Sequence, residues 1–121
     1  MKRILSISCV AVLTMTSASA LADGWKTIRK EADFREMVVG KNLAWNGNTG
    51  IINADGTAAG TLKEQGAYKG NWVWSGRFYC RNFIIGGKAT GTNCAKVEVS
   101  DTGVRFLNNK GKGRVTETVF N

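Results

Sequence analysis

The sequence predicts a small all-β domain preceded by one helix, and three observations carry this. Turn-forming residues recur every eight to twelve positions from Lys41 onward: Asn46-Gly47-Asn48, Asp55-Gly56, Gln65-Gly66, Ser75-Gly76, Gly86-Gly87, Asp101-Thr102-Gly103 and Gly111-Lys112-Gly113. The runs between them are short and tend to alternate apolar with polar residues, the period of half-buried strands. No stretch is long enough for the crossovers that parallel strands need, so neighbours pair antiparallel through tight turns. About eight strands joined in this way make an antiparallel meander. Closure into a small lipocalin-like barrel removes the edges on which other chains can pair, and the chain has no proline to guard an open edge. A sandwich is the alternative.

The chain of 121 residues opens on Met1-Lys2-Arg3, then an uncharged, mostly apolar run from Ile4 to Met15, then Ala18-Ser19-Ala20-Leu21-Ala22-Asp23. This is the pattern of a secretory signal peptide. The run is too short to span a bilayer, which takes about 20 residues. Cleavage after Ala20 or Ala22 fits the small-x-small rule, and Ala22 leaves a polar start. The expected organisation is a cleaved signal over 1–22, a helical segment over 23–40 and a β domain over 41–121, with the protein in the periplasm or secreted. Cys9 leaves with the signal. Cys80 and Cys94 remain, and two cysteines in a small exported domain are expected to form a disulfide. The enclosed loop of about 15 residues corresponds to roughly 3 kcal/mol of chain entropy.

In the helical segment, Ile28, Ala32 and Val39, or Phe34, Met37 and Val38, share a helical face. Asp33 is the expected cap of a short helix running to Val39, and Gly40 the stop. Trp25 is expected to pack onto the main body. Candidate strands follow over 43–45, 50–53, 57–62, 67–74, 77–85, 93–100, 104–108 and 115–120. Asp55-Gly56 is a two-residue hairpin signal, and Asp101-Thr102-Gly103 suits a three-residue turn with a left-handed glycine. Alternation places Tyr68, Gly70, Trp72 and Trp74 on one face, Ala95, Val97 and Val99 on one face, Val104 with Phe106, and Val115 with Val119. Cys94 has the parity of Lys96 and Glu98. Either the disulfide lies on the outer face or a bulge near 93–95 breaks the alternation.

The chain contains no histidine, which removes imidazole acid–base catalysis, histidine-activated nucleophiles and histidine metal sites. Paired cysteines hold no metal. Asp55 and Asp101 fall in turns, while Glu98 and Glu117 alternate with apolar neighbours; no carboxylate pair of the kind hydrolytic chemistry needs stands out. Gly111-Lys112-Gly113 lacks the strand and helix of a nucleotide loop and reads as a turn. No enzyme activity, cofactor or metal is expected.

The formal charge of +8 falls to +6 when Lys2 and Arg3 leave. Arg77, Arg81, Arg105, Lys110, Lys112 and Arg114 are candidate contacts for an anionic partner, set against the plainer reading of a solvated surface. The heaviest side chains gather in the hairpin Gly70-Asn71-Trp72-Val73-Trp74-Ser75-Gly76-Arg77-Phe78-Tyr79-Cys80-Arg81. Trp72 and Trp74, with Phe78 and Tyr68, either fill the core or line a small apolar pocket. Core is the weightier reading for the two tryptophans.

Gly70, Trp72, Trp74, Phe78, Tyr79, Cys80 and Arg81 resemble the G-x-W-x-W…[YF]-[YF]-C-R core of a family of small exported proteobacterial proteins of uncharacterised function. Cys94, Val97 and Val99, then Val104-Arg105-Phe106 and Gly111-Lys112-Gly113, extend the likeness, as do Phe34, Val38-Val39-Gly40-Lys41 and Leu43 upstream. Gly76-Arg77 stands where that family more often has Asp-Gly. Some members carry a dihydrodipicolinate reductase label. This chain, without histidine or βαβ units, does not support that label.

The expected function is that of an exported, monomeric, non-catalytic binding protein. It would take a small apolar ligand or meet an anionic envelope component, and nucleic acid is not expected as a partner. The alternative is an inhibitor or regulator of an envelope enzyme acting through a small, flexible loop at 86–93.

Overall fold

A computed structural model describes residues 24–121; the expected signal peptide, with Cys9 and both cleavage positions, lies outside the described residues. The chain runs β1 (Lys26–Ile28), α1 (Glu31–Met37), β2 (Asn42–Trp45), β3 (Asn48–Ile52), β4 (Thr57–Leu62), β5 (Gly66–Ser75), β6 (Phe78–Ile85), β7 (Lys88–Val99), β8 (Gly103–Leu107), a single 3-10 turn (Asn109–Gly111) and β9 (Val115–Phe120). Strands β2 to β9 form a closed antiparallel barrel, each paired with its sequence neighbour. The last strand returns to the first through Leu43 opposite Phe120 and Ala44 opposite Val119. The barrel, and not the sandwich, is the fold. Strand β1 lies outside the ring, where Ile28 pairs Val97 and Lys26 pairs Val99 just past the start of β6.

The helical segment differs from its expected form. Trp25 is half-buried, and residues 26–28 are a strand. The helix begins at Glu31 with Lys30 as the N-cap residue, and no side chain caps it. Asp33 is therefore inside the first turn, where with Glu31 it faces the positive end of the helix dipole. The helix stops at Met37, and Gly40 (φ 85°) turns the chain into β2. Its apolar face closes one end of the barrel. Phe34 and Val38 are fully buried, packed with Ile28, Trp72, Tyr79, Val97 and Val104 into one core.

Two hairpins depart from the predicted turns. Asn53 N–H donates to Thr57 O and Gly56 N–H to Asn53 O, so the 54–56 connection is a three-residue loop, not a two-residue turn. The Asp55 carboxylate sets it by accepting from the Thr57 N–H and hydroxyl, at 2.9 and 2.7 Å. Gly103 is not left-handed. It opens β8 opposite Val119, and a Cβ there would meet Thr118 O at 1.8 Å, so this glycine answers to a close backbone approach.

The 86–93 stretch is not a loop. Ile85 pairs Lys88 across a two-residue Gly86-Gly87 turn. Both glycines have positive φ, 61° and 81°, as a type I′ hairpin requires. Residues 88–92 belong to β7, and the only irregularity is a bulge opposite Phe83. There Gly91 (φ 85°) takes up one extra residue, and Thr90 Oγ1 accepts from the Phe83 N–H at 3.1 Å.

Alternation assigns most faces as predicted, with β9 the exception. Val115 and Val119 are about half exposed, while Thr118 is buried at 2 %. The Thr118 hydroxyl donates to Val104 O at 2.9 Å, which satisfies it inside the core. Cys80 and Cys94 are directly opposite partners on β6 and β7 and are disulfide-bonded. Their neighbours Tyr79, Arg81 and Ala95 line the barrel interior, so the disulfide lies on the outer face and no bulge at 93–95 is needed.

Candidate functional site

The helix fills only one end of the barrel. Between that plug and the opposite rim lies a cavity of about 130 Å³. Its floor is Leu43, Ile52, Ala58, Tyr79 and Ala95, and its walls include Trp45, Leu62, Tyr68, Phe83, Ile85 and Phe106. Glycines make the room. Gly50 on β3 pairs with Gly60 on β4, and Gly60 pairs with Tyr68 on β5. A Cβ on Gly50 would sit 2.2 Å from the Tyr68 hydroxyl, and one on Gly60 would sit 2.6 Å from its ring and 2.1 Å from Thr49 O. The phenol therefore lies across two strands at the positions where glycine leaves no side chain. Its ring meets Phe83 edge to face at 5.1 Å.

One charged side chain faces this space. Arg81 lies between Tyr79 and Phe83 in the inward row of β6 and, among the described residues, is the sole ionisable member of the lining other than the two tyrosines. Its guanidinium carbon stands 4.7 Å from the centre of the Phe83 ring, within cation–π range. Among the described residues it makes no ion pair and no side-chain hydrogen bond to the protein. The four ion pairs there join Arg35 to Glu31, Lys96 and Arg105 to Glu98, and Arg105 to Glu117. Burial lowers the pKa of Arg81, while Tyr79 and Tyr68 oppose that shift. Burial also pushes the Tyr68 and Tyr79 phenols above their ordinary value, with Arg81 pulling both down. Asn108, Thr116 and Thr118 add neutral polar groups to the lining. A mostly apolar hollow with one cation and a few hydroxyls can hold a small molecule; nothing in it is a paired acid and base.

The residues singled out from sequence separate into different places. Tyr68 lines the cavity. Trp72 is in the core, 4 % exposed, and its indole N–H donates to Asn53 O at 2.9 Å. Trp74 packs on Phe34 at 4.9 Å and donates to Gly76 O. Phe78 has the outward parity of Cys80, and the Lys110 ammonium stands 5.4 Å from its ring centre. Of the candidate anion contacts, Arg81 points inward. Arg105 is engaged with Glu98 and Glu117 and lies 4.1 Å over Trp25. Arg77, in the β5–β6 turn, and Lys110, Lys112 and Arg114, in the β8–β9 connection, are exposed.

Sequence reasoning missed Trp45, Leu62, Ile85 and Phe106 as lining residues. Their parity with Leu43, Ala58, Tyr79 and Val104 was the available sign. The same test applied to β6 puts Arg81 in the row of Tyr79 and Phe83, inside.

A second depression, between the β2–β3 and β4–β5 hairpin tips, is more open and mostly polar, lined by Asn46, Asn48, Leu62, Lys63, Glu64 and Gln65. Among the described residues no three histidine, cysteine or acidic side chains converge as a metal site would require. No protein-family model matches the chain, and neither a curated protein nor a solved structure does.

Proposed function

We propose that this chain is an exported, non-catalytic binding protein that takes a small, largely apolar ligand into the barrel. The observation that carries this is the cavity at the end of the barrel opposite the helix. Protein interiors pack with few voids larger than a water molecule, yet here aromatic residues surround about 130 Å³ of space. A cavity of about 150 Å³ lined by apolar side chains accommodates benzene, which sets the scale of the ligand. The Cys80–Cys94 disulfide fits an oxidising compartment, and the signal-peptide pattern makes that compartment the periplasm or the exterior. The resemblance to small exported proteobacterial proteins agrees with this reading and supplies no ligand. The absence of histidine from the sequence and the placement of every described carboxylate outside the cavity lining support binding over catalysis.

The test uses iodobenzene, a neutral probe of benzene size whose heavy atom quenches indole emission. Of the four tryptophans only Trp45 lines the cavity. Saturable quenching is expected, and Trp45→Phe should remove most of it while calorimetry still detects binding. Emission unchanged up to the solubility limit, with no heat of binding, would overturn the proposal.

A further inference from the structure

The geometry points to a ligand that is a small amphipathic monoanion: a carboxylate on an apolar body of about benzene size, its carboxylate paired with Arg81. This rests on the cavity reading above and names the ligand's chemistry.

The first ground is charge. Arg81 is half-buried, and among the described residues no acidic side chain lines the cavity with it. A cation withdrawn from water is normally paired or hydrogen-bonded. Among the described residues, every ion pair lies elsewhere and none includes Arg81. Of the other described arginines, Arg35 and Arg105 are ion-paired, while Arg29, Arg77 and Arg114 are exposed to water.

The second ground is placement. Arg81 stands at the boundary between the filled and unfilled parts of the barrel. Tyr79, one step toward the plug, is buried at 3 %, and Phe83, one step toward the rim, is only partly buried. An anion reaching the guanidinium must therefore bring its remaining atoms into the space walled by Phe83, Trp45, Leu62 and Phe106. An inorganic anion would leave that apolar space empty, and a neutral hydrocarbon would leave the cation unpaired.

The third ground is the donor set and the size. A guanidinium presents a planar fork that matches a carboxylate through two parallel hydrogen bonds. Tyr68 and Tyr79 line the same cavity as Arg81, and a phenol hydroxyl can donate to a carboxylate oxygen. One arginine and two phenols suit a single negative charge. With about 130 Å³ available, the body is a single ring or a short branched chain, not a long acyl chain.

The experiment compares benzoate with benzyl alcohol on the intact mature protein by calorimetry, then repeats both on Arg81→Met and Arg81→Lys. Benzoate should bind the wild type about tenfold or more tighter than benzyl alcohol, the scale of one charge-assisted hydrogen-bonded pair. Arg81→Met should remove that advantage, and Arg81→Lys should keep part of it, since lysine retains the charge but not the fork. Equal binding of benzoate and benzyl alcohol to the wild type overturns the inference without any variant. So does benzoate affinity unchanged in Arg81→Met. If iodobenzene quenches Trp45 in the same preparation, those results leave the cavity reading standing. If neither iodobenzene nor benzoate enters, both readings fall together.

Discussion

Phe34 of α1 meets Trp72 of β5 edge to face, ring centres 5.3 Å apart, at the barrel end that the helix closes. The same Phe34 ring stands 4.9 Å from Trp74 and 5.2 Å from Tyr79. One side chain from a seven-residue helix thus joins the two strands of the heaviest hairpin. A helix this short is not stable alone, so its place depends on this contact and on Val38.

Phe34→Ala should therefore cost about 3–5 kcal/mol, the range for a fully buried phenylalanine truncated in a rigid setting. Urea unfolding, read from the midpoint at constant slope, measures it. A loss below about 1 kcal/mol would mean that the barrel closes without its plug, since such a loss is typical of sites where nothing packed is removed.

Removing the disulfide should lower stability without altering the cavity. Cys80 and Cys94 are 14 positions apart, and cross-linking a loop of about that size contributes roughly 3 kcal/mol through the unfolded chain. For a domain of about 100 residues that is a fall in Tm of roughly 10–20 °C. The bond lies on the outer face, so the double variant Cys80→Ala/Cys94→Ala, measured well below its Tm, should bind iodobenzene as the wild type does. A weakened probe affinity at that temperature would place the disulfide in the cavity's support.

Alkaline pH should destabilise the fold through the interior phenols. Burial holds the Tyr79 hydroxyl well above its ordinary value, and Tyr68 is raised for the same reason, with Arg81 opposing both shifts. In the unfolded chain these groups lose protons near pH 10, while the folded state keeps them. The two phenols thus leave stability unchanged below about pH 9 and lower it as pH rises above 10, because the unfolded state then binds fewer protons. Tyr79→Phe should flatten that fall. Urea midpoints at about pH 8 and pH 11 for both proteins check it, and equal slopes would assign the alkaline loss to other groups.

The periodic part of the structure was legible in the residues. The inward rows Tyr68-Gly70-Trp72-Trp74 and Ala95-Val97-Val99 follow from alternation alone, as does the antiparallel order from the spacing of the turns. Parity also placed Cys94 with Lys96 and Glu98, on the face where the disulfide lies. Alternation failed at β9, where threonines face inward. Thr118 is held by a hydrogen bond to Val104 O, a partner on another strand that no local pattern reveals. At 88–92, small and polar residues read as a loop, although the Gly86-Gly87 turn extends β7 through them.

By itself the sequence determined a meander of short strands, its turn positions, the pairing of Cys80 with Cys94 and the lack of imidazole chemistry. Those are properties of residue type and spacing. Only the tertiary structure decided that the two tryptophans of the central hairpin belong to the plugged end, that Gly50 and Gly60 clear a space for Tyr68, and that Arg81 faces into that space. The reason is that a cavity is a difference between the volume a barrel encloses and the side chains sent into it. That difference depends on which positions from eight strands meet at one level, and no single strand's pattern contains it.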